Sequence, residues 1–211
     1  MTNYIVAILD RSGSMAGSES DVIGGFNSFL NLQKENIKDI DNTKVVLVLF
    51  DNVIELVHNQ TPLRNVHNID NSTYFVRGST SLLDAVGQTF SHTPTDAGRV
   101  AVMIYTDGYE NSSKEWTKDG VKRLMAEKKK LDWQILFGGA DMDAFSEARS
   151  MGIDWGSTIK LGKTRVENRA YFDTVGTSAF SYMNTGKVET DAQTKFTAAV
   201  AKEAQAEDKS T

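Results

Sequence analysis

Tyr4-Ile5-Val6-Ala7-Ile8-Leu9-Asp10-Arg11-Ser12-Gly13-Ser14-Met15 is the stretch on which the reading of the fold turns. Residues 4–9 are apolar without alternation and partly β-branched, the pattern of a strand buried on both faces. The run stops at Asp10, and the turn residues Ser12, Gly13 and Gly17 follow. A helical pattern then begins. Ser18 with Asp21 matches a capping box, and Val22, Phe26, Phe29 and Leu30 recur at helical spacing. Strand, turn and amphipathic helix in that order open an α/β unit.

The alternation continues along the chain. Residues 44–50 read as a second strand, and Asp51-Asn52 as a tight turn into residues 53–57, which makes a hairpin. The polar, Asn-rich stretch 58–77 reads as irregular, with one short strand near 74–76. Ser81 and Asp84 match a second capping box, opening a helix with Leu82, Leu83, Val86 and Phe90 on one face. Val100–Thr106 is a strand ending at Asp107-Gly108, residues 117–131 are a helix, and residues 133–137 are a strand closed by Gly138-Gly139. A helix over 141–151 has Asp141 as its N-cap and stops at Gly152. Thr158–Leu161 is the last strand and 166–183 a helix ending at Gly186. The expectation is one doubly wound, Rossmann-like α/β domain over residues 1–186. Its sheet is mostly parallel, with helices on both faces and one antiparallel edge strand from the hairpin. Residues 187–211 form a polar tail rich in Ala, Lys, Glu and Thr. It reads as a solvated or frayed helix over 191–206, with disorder over 207–211.

Composition narrows the function classes. The 211 residues suit one domain, and a hydrophobic share of 40% excludes a disordered chain. No apolar run approaches the roughly 18 residues that a membrane helix needs. No basic region precedes the first apolar run, so a secretory signal is not expected and the expected location is cytoplasmic. The formal charge of −5 argues against nucleic acid and anionic membrane as partners. The absence of Cys excludes disulfides, zinc–thiolate sites, iron–sulfur clusters and cysteine nucleophiles. With 3 His in the chain, a histidine-rich metal site is not expected either.

Ligands of open parallel sheets bind at the carboxyl ends of the strands. Three loops fall there: 10–15 after the first strand, 78–84 before the helix that starts near Leu82, and 105–108 after the central strand. Together they offer two carboxylates and three hydroxyls, an all-oxygen set suited to a hard divalent cation. Hydroxyls as direct ligands, with carboxylates holding coordinated water, would leave such an ion poorly neutralised. It would then attract an outside carboxylate.

Asp10-x-Ser12-x-Ser14 after a strand, Thr80 within Gly78-Ser79-Thr80-Ser81-Leu82-Leu83-Asp84-Ala85, and Thr106-Asp107-Gly108 after an apolar strand resemble the von Willebrand factor A domains. The resemblance covers about residues 4–185, and its flavour is that of single-domain bacterial or phage versions. It implies a complete metal-ion-dependent adhesion site. Ser12, Ser14 and Thr80 would be direct or near-direct ligands, and Asp10 and Asp107 would act mainly through coordinated water. The implied ion is Mg²⁺, with Mn²⁺ or Ca²⁺ as substitutes, and the implied partner is a protein presenting Asp or Glu.

Other residues receive structural readings. Tyr109 and Glu110 belong to a solvated loop, with the rim where a partner docks as the alternative, Asp84 completes the capping box and stands near Thr80, and Lys128-Lys129-Lys130 is a solvated face. Trp116, Trp133 and Trp155 pack the core. The function expected is a metal-dependent binding module rather than an enzyme. The alternative is a Mg²⁺-dependent phosphohydrolase with Asp10 as nucleophile. Ser12 stands where such an enzyme would need an acidic second residue, and a serine cannot be a general acid at neutral pH.

Overall fold

Strand β1 (Asn3–Asp10) is buried along its whole length and lies inside a six-stranded sheet of order β3-β2-β1-β4-β5-β6. The other strands are β2 (Thr43–Phe50), β3 (Ile54–Pro62), β4 (Val100–Thr106), β5 (Gln134–Ala140) and β6 (Thr158–Leu161). β1 runs parallel to β2 and β4, and β4, β5 and β6 are parallel in turn. β3 is the antiparallel edge. The structure, a computed structural model, describes residues 1–140 and 143–208.

Helices α1 (Glu19–Asn36), α5 (Arg165–Thr185) and α6 (Ala192–Asp208) cover one face of the sheet. Helices α2 (Leu82–His92), α3 (Lys118–Lys129) and α4 (Ala144–Ser150) cover the other. Alternate residues of β1 serve the two layers. Ile5, Ala7 and Leu9 join the first, and Tyr4, Val6 and Ile8 join the second. Because both faces are covered, the strand is apolar without alternation. The doubly wound α/β architecture expected from the sequence is the one observed.

Several local expectations differ from the structure, each for a physical reason. β3 runs on to Pro62 rather than stopping near 57. Residues 74–76 form no strand. Tyr74 is instead buried as a single side chain whose hydroxyl donates to the Asp10 carbonyl at 2.5 Å. Gly138 and Gly139 are strand residues, not a stop. A Cβ on Gly138 would lie 2.1 Å from Cε2 of Tyr171, so its glycine lets α5 pack directly on β5.

Neither capping box forms, since Ser18 and Ser81 make no side-chain cap. Thr117, Asp143 and Thr164 do cap α3, α4 and α5 through their side chains. The expected cap Asp141 lies outside the described residues. α5 ends as expected at Gly186, whose φ of 76° is the left-handed conformation that favours glycine.

The tail also differs from expectation. Residues 207 and 208 continue α6, and 209–211 lie outside the described residues. Ala192 and Phe196, four residues apart on α6, are buried in the layer shared with α5, so this helix is packed rather than merely solvated. Trp155 is 71% exposed and stacks on Phe145 with ring centroids 3.7 Å apart, whereas Trp133 is buried. Lys128 is also buried, its ammonium 4.7 Å above the Trp133 ring, so the lysine run is not a uniformly solvated face. Among the described residues, no helix is long and apolar enough to cross a membrane.

Candidate metal site

β1 and β4 are neighbours in the sheet and bring Asp10, at the end of β1, and Asp107, just after β4, to the same edge. Asp10, wholly buried, closes β1. Its Oδ1 accepts from the Ser12 N–H at 2.7 Å and its Oδ2 from Thr106 Oγ1 at 2.5 Å. Asp107 follows β4, and its Oδ1 accepts from Ser14 Oγ at 2.5 Å. Ser12 Oγ and Ser14 Oγ stand 3.0 Å apart. These contacts link four of the five expected residues, three of them through side-chain oxygens.

Thr80, 2% exposed, enters from the loop before α2. A Cβ on Gly108 would stand 2.9 Å from Thr80 Oγ1 and 3.1 Å from Ser14 Oγ. The hydrogen at that position therefore keeps open a small cradle between two hydroxyls. The side-chain oxygen of Asn111 accepts from the Thr80 N–H at 2.9 Å and fixes this backbone. The structure thus brings Asp10, Ser12, Ser14, Thr80 and Asp107 to one place.

The three loops are tied together from below. Arg11 points away from the cradle and is wholly buried, with its Nε 2.9 Å from Asp51 Oδ2. The same oxygen accepts from Arg77 Nε at 2.7 Å, and the Asp51 carbonyl accepts from the Ser81 N–H at 3.0 Å. Phe75 lies beneath both guanidinium groups, each 5.2 Å from its ring centroid. Gly13 N–H also donates to the Gly78 carbonyl at 3.0 Å. Gly78 has φ 66°, and a Cβ there would sit 1.9 Å from the Asn52 side-chain oxygen, so this turn requires glycine.

Burial pushes the Asp10 carboxyl up to about 6, against the lowering effect of its hydrogen bonds from Thr106 and Ser12. Burial and the Asp10 charge likewise hold the Tyr74 phenol well above its ordinary range. Asp107 Oδ2 is buried and accepts no well-directed hydrogen bond, yet the ammonium of Lys163 lies 2.5 Å away. The donor set suits a hard cation, since it is all oxygen. No group of three or more His, Asp or Glu that could hold a metal occurs among the described residues.

Around the site, further side chains take roles that differ from the sequence expectation or go beyond it. The motif gives Thr106 no role of its own, yet its hydroxyl donates to the adjacent Asp10. Lys163 follows the last strand and so belongs to the same sheet edge, a signal available from topology alone. Glu110 is structural, accepting from the N–H groups of Leu83, Ser112 and Ser113 at 2.8, 2.9 and 2.7 Å. Asp84 neither caps its own helix nor touches Thr80 through its carboxylate. It accepts from the N–H groups of Lys114, Glu115 and Trp116, which fixes the loop that carries Asn111. The Tyr109 side chain is 53% exposed, and its hydroxyl accepts from the Asp143 N–H at 2.9 Å.

No family model and no curated protein matches this sequence. Solved structures match the fold. A proximal thread matrix protein from the mussel byssus, described with a zinc-occupied metal-ion-dependent adhesion motif, superposes with a TM-score of 0.63 at 15% identity over 85% of this chain and 46% of that one. The von Willebrand factor domain of the type V pili tip protein Mfa5 from Porphyromonas gingivalis gives 0.64 at 11% identity, covering 89% and 98%. A von Willebrand factor type A structure from Catenulispora acidiphila gives 0.57 at 13%, covering 85% and 43%. This chain has the fold of the von Willebrand factor A domains. It spans less than half the length of the mussel protein.

Proposed function

We propose that this chain is a metal-dependent protein-binding module. In this reading Ser12, Ser14 and Thr80 hold a divalent cation directly, and Asp10 and Asp107 orient the water around it. Mg²⁺ is the expected ion, with Mn²⁺ or Ca²⁺ as substitutes. The bound ion would supply an electrophilic centre with an open position for the carboxylate of an acidic partner side chain. The observation that carries the proposal is the cradle above Gly108, flanked by Thr80 Oγ1 and Ser14 Oγ. The zinc-occupied motif of the mussel protein and the pilus-tip origin of the Porphyromonas domain favour binding over catalysis.

The phosphohydrolase alternative is disfavoured by Asp10 itself. Asp10 is wholly buried and held by the Ser12 N–H and the Thr106 hydroxyl, which restrains the approach that attack on phosphorus needs, and Ser12 offers no general acid. The net charge of −5 favours a protein over nucleic acid as the partner.

The test is retention of source-lysate proteins by immobilised wild-type and Asp107→Ala chains, each in magnesium and in EDTA. A protein held only by the wild type in magnesium supports the reading. Retention that ignores both metal and mutation contradicts it.

A further inference from the structure

Lys163 reaches into the site from the turn between β6 and α5. Its ammonium lies 2.5 Å from Asp107 Oδ2 and donates to the Ser14 carbonyl at 3.0 Å. The carboxylate it meets has a side chain only 1% exposed, while the lysine side chain is 35% exposed. The buried partner therefore depends on the lysine for its neutralising charge, and the lysine has solvent to withdraw into.

The lysine's backbone is held close by. The Gly162 N–H donates to Glu167 Oε1 at 3.0 Å, and Thr164, the N-cap of α5, donates through Oγ1 to Glu167 Oε2 at 2.6 Å. Lys163 is thus a cation on a short tether, anchored at the first turn of α5 and resting on the carboxylate that the metal-site reading also uses.

We infer that Lys163 is an internal competitor for the divalent cation. Its ammonium occupies Asp107 in the metal-free protein, and metal entry displaces it. A monovalent ammonium and a divalent ion repel one another strongly when both sit within a few ångströms of a poorly hydrated carboxylate. Asp107 can therefore serve one of them fully at a time. Metal affinity is then set partly by Lys163, and occupancy frees the Gly162–Lys163–Thr164 turn from the sheet edge. This inference rests on the metal-site reading.

Two measurements test it. Calorimetric titration of Mg²⁺ compares wild type, Lys163→Met and Asp107→Ala, each first shown to have a native circular dichroism spectrum. Removing the ammonium should tighten Mg²⁺ binding about five- to tenfold, since the buried pair no longer has to be broken. Amine-reactive labelling of the wild type, read at Lys163 by mass spectrometry, should rise severalfold when Mg²⁺ is added. This second readout needs no variant.

If wild type binds Mg²⁺ but Lys163→Met binds it equally or more weakly, with labelling unchanged by metal, the competitor role is overturned while the metal site stands. If only Lys163→Met binds, the lysine blocks the site outright and the inference holds in its strongest form. If neither binds, or Asp107→Ala binds as well as wild type, the metal-site reading itself fails and the inference falls with it.

Discussion

Thr106 Oγ1 donates a 2.5 Å hydrogen bond to Oδ2 of Asp10, across the parallel pair formed by β1 and β4. The contact orients a carboxylate that is wholly buried, and burial raises that carboxyl to about 6. A group whose folded value lies above its unfolded value of 3.8 favours folding most below the unfolded value. That contribution is lost as pH rises through about 6.

Asp10→Asn should therefore stabilise the metal-free protein at pH 7 by a few degrees in a thermal melt. The gain should vanish near pH 4, where the wild-type carboxyl is already neutral. The same variant should lose stabilisation by magnesium. In the wild type, Mg²⁺ affinity should fall steeply below about pH 6, where Asp10 takes up a proton. A flat affinity between pH 7 and pH 5 would contradict this role.

Gly108→Ala places a methyl group into the cradle, 2.9 Å from Thr80 Oγ1 and 3.1 Å from Ser14 Oγ. It should weaken Mg²⁺ binding by tenfold or more and change stability little, by less than about 1 kcal/mol, because the position lies at the surface edge. Urea unfolding in EDTA checks the second half and titration calorimetry the first.

Asp51 holds Arg11 and Arg77 through one oxygen. Asp51→Ala leaves the wholly buried Arg11 guanidinium with the half-exposed Glu55, 2.8 Å from its Nη2, as its remaining ion-pair partner and should cost about 3 kcal/mol in urea unfolding. Arg77→Ala removes a half-exposed partner and should cost about 1 kcal/mol or less. Equal losses in the two variants would show that the buried guanidinium draws no special stability from Asp51.

Phe196 is 4% exposed in the layer beneath α6. Phe196→Ala should destabilise the fold by about 3 kcal/mol, in the ordinary range for a buried aromatic. A loss below about 1 kcal/mol would mean that α6 is only loosely docked.

The strands were legible because both faces of the sheet are covered. Unbroken apolar runs such as residues 4–9 and 100–106 then have few competing readings. Asp10, Ser12, Ser14 and Asp107 were legible for a related reason, since topology sends the ends of β1 and β4 to one edge, whereas Thr80 was legible through the family resemblance of its loop. What escaped the sequence depends on single side chains reaching across it. Tyr74 imitated a short strand, yet it is buried to bond the Asp10 carbonyl. Gly138 imitated a stop because nothing local reveals the Tyr171 ring above it. Ser18 and Ser81 matched a capping pattern, but Glu110 answers the Leu83 N–H from another loop. Phe196 was hidden by a polar composition, since one aromatic four residues from Ala192 is enough to dock a helix.

The most direct test of the metal site is a crystal structure of the chain grown with Mn²⁺, read by anomalous scattering. The account predicts one anomalous peak within coordination distance of Ser12 Oγ, Ser14 Oγ and Thr80 Oγ1, in the cradle above Gly108, with the Lys163 ammonium withdrawn from Asp107. A peak elsewhere, or an undisturbed Lys163–Asp107 pair with no peak in the cradle at saturating Mn²⁺, would contradict it.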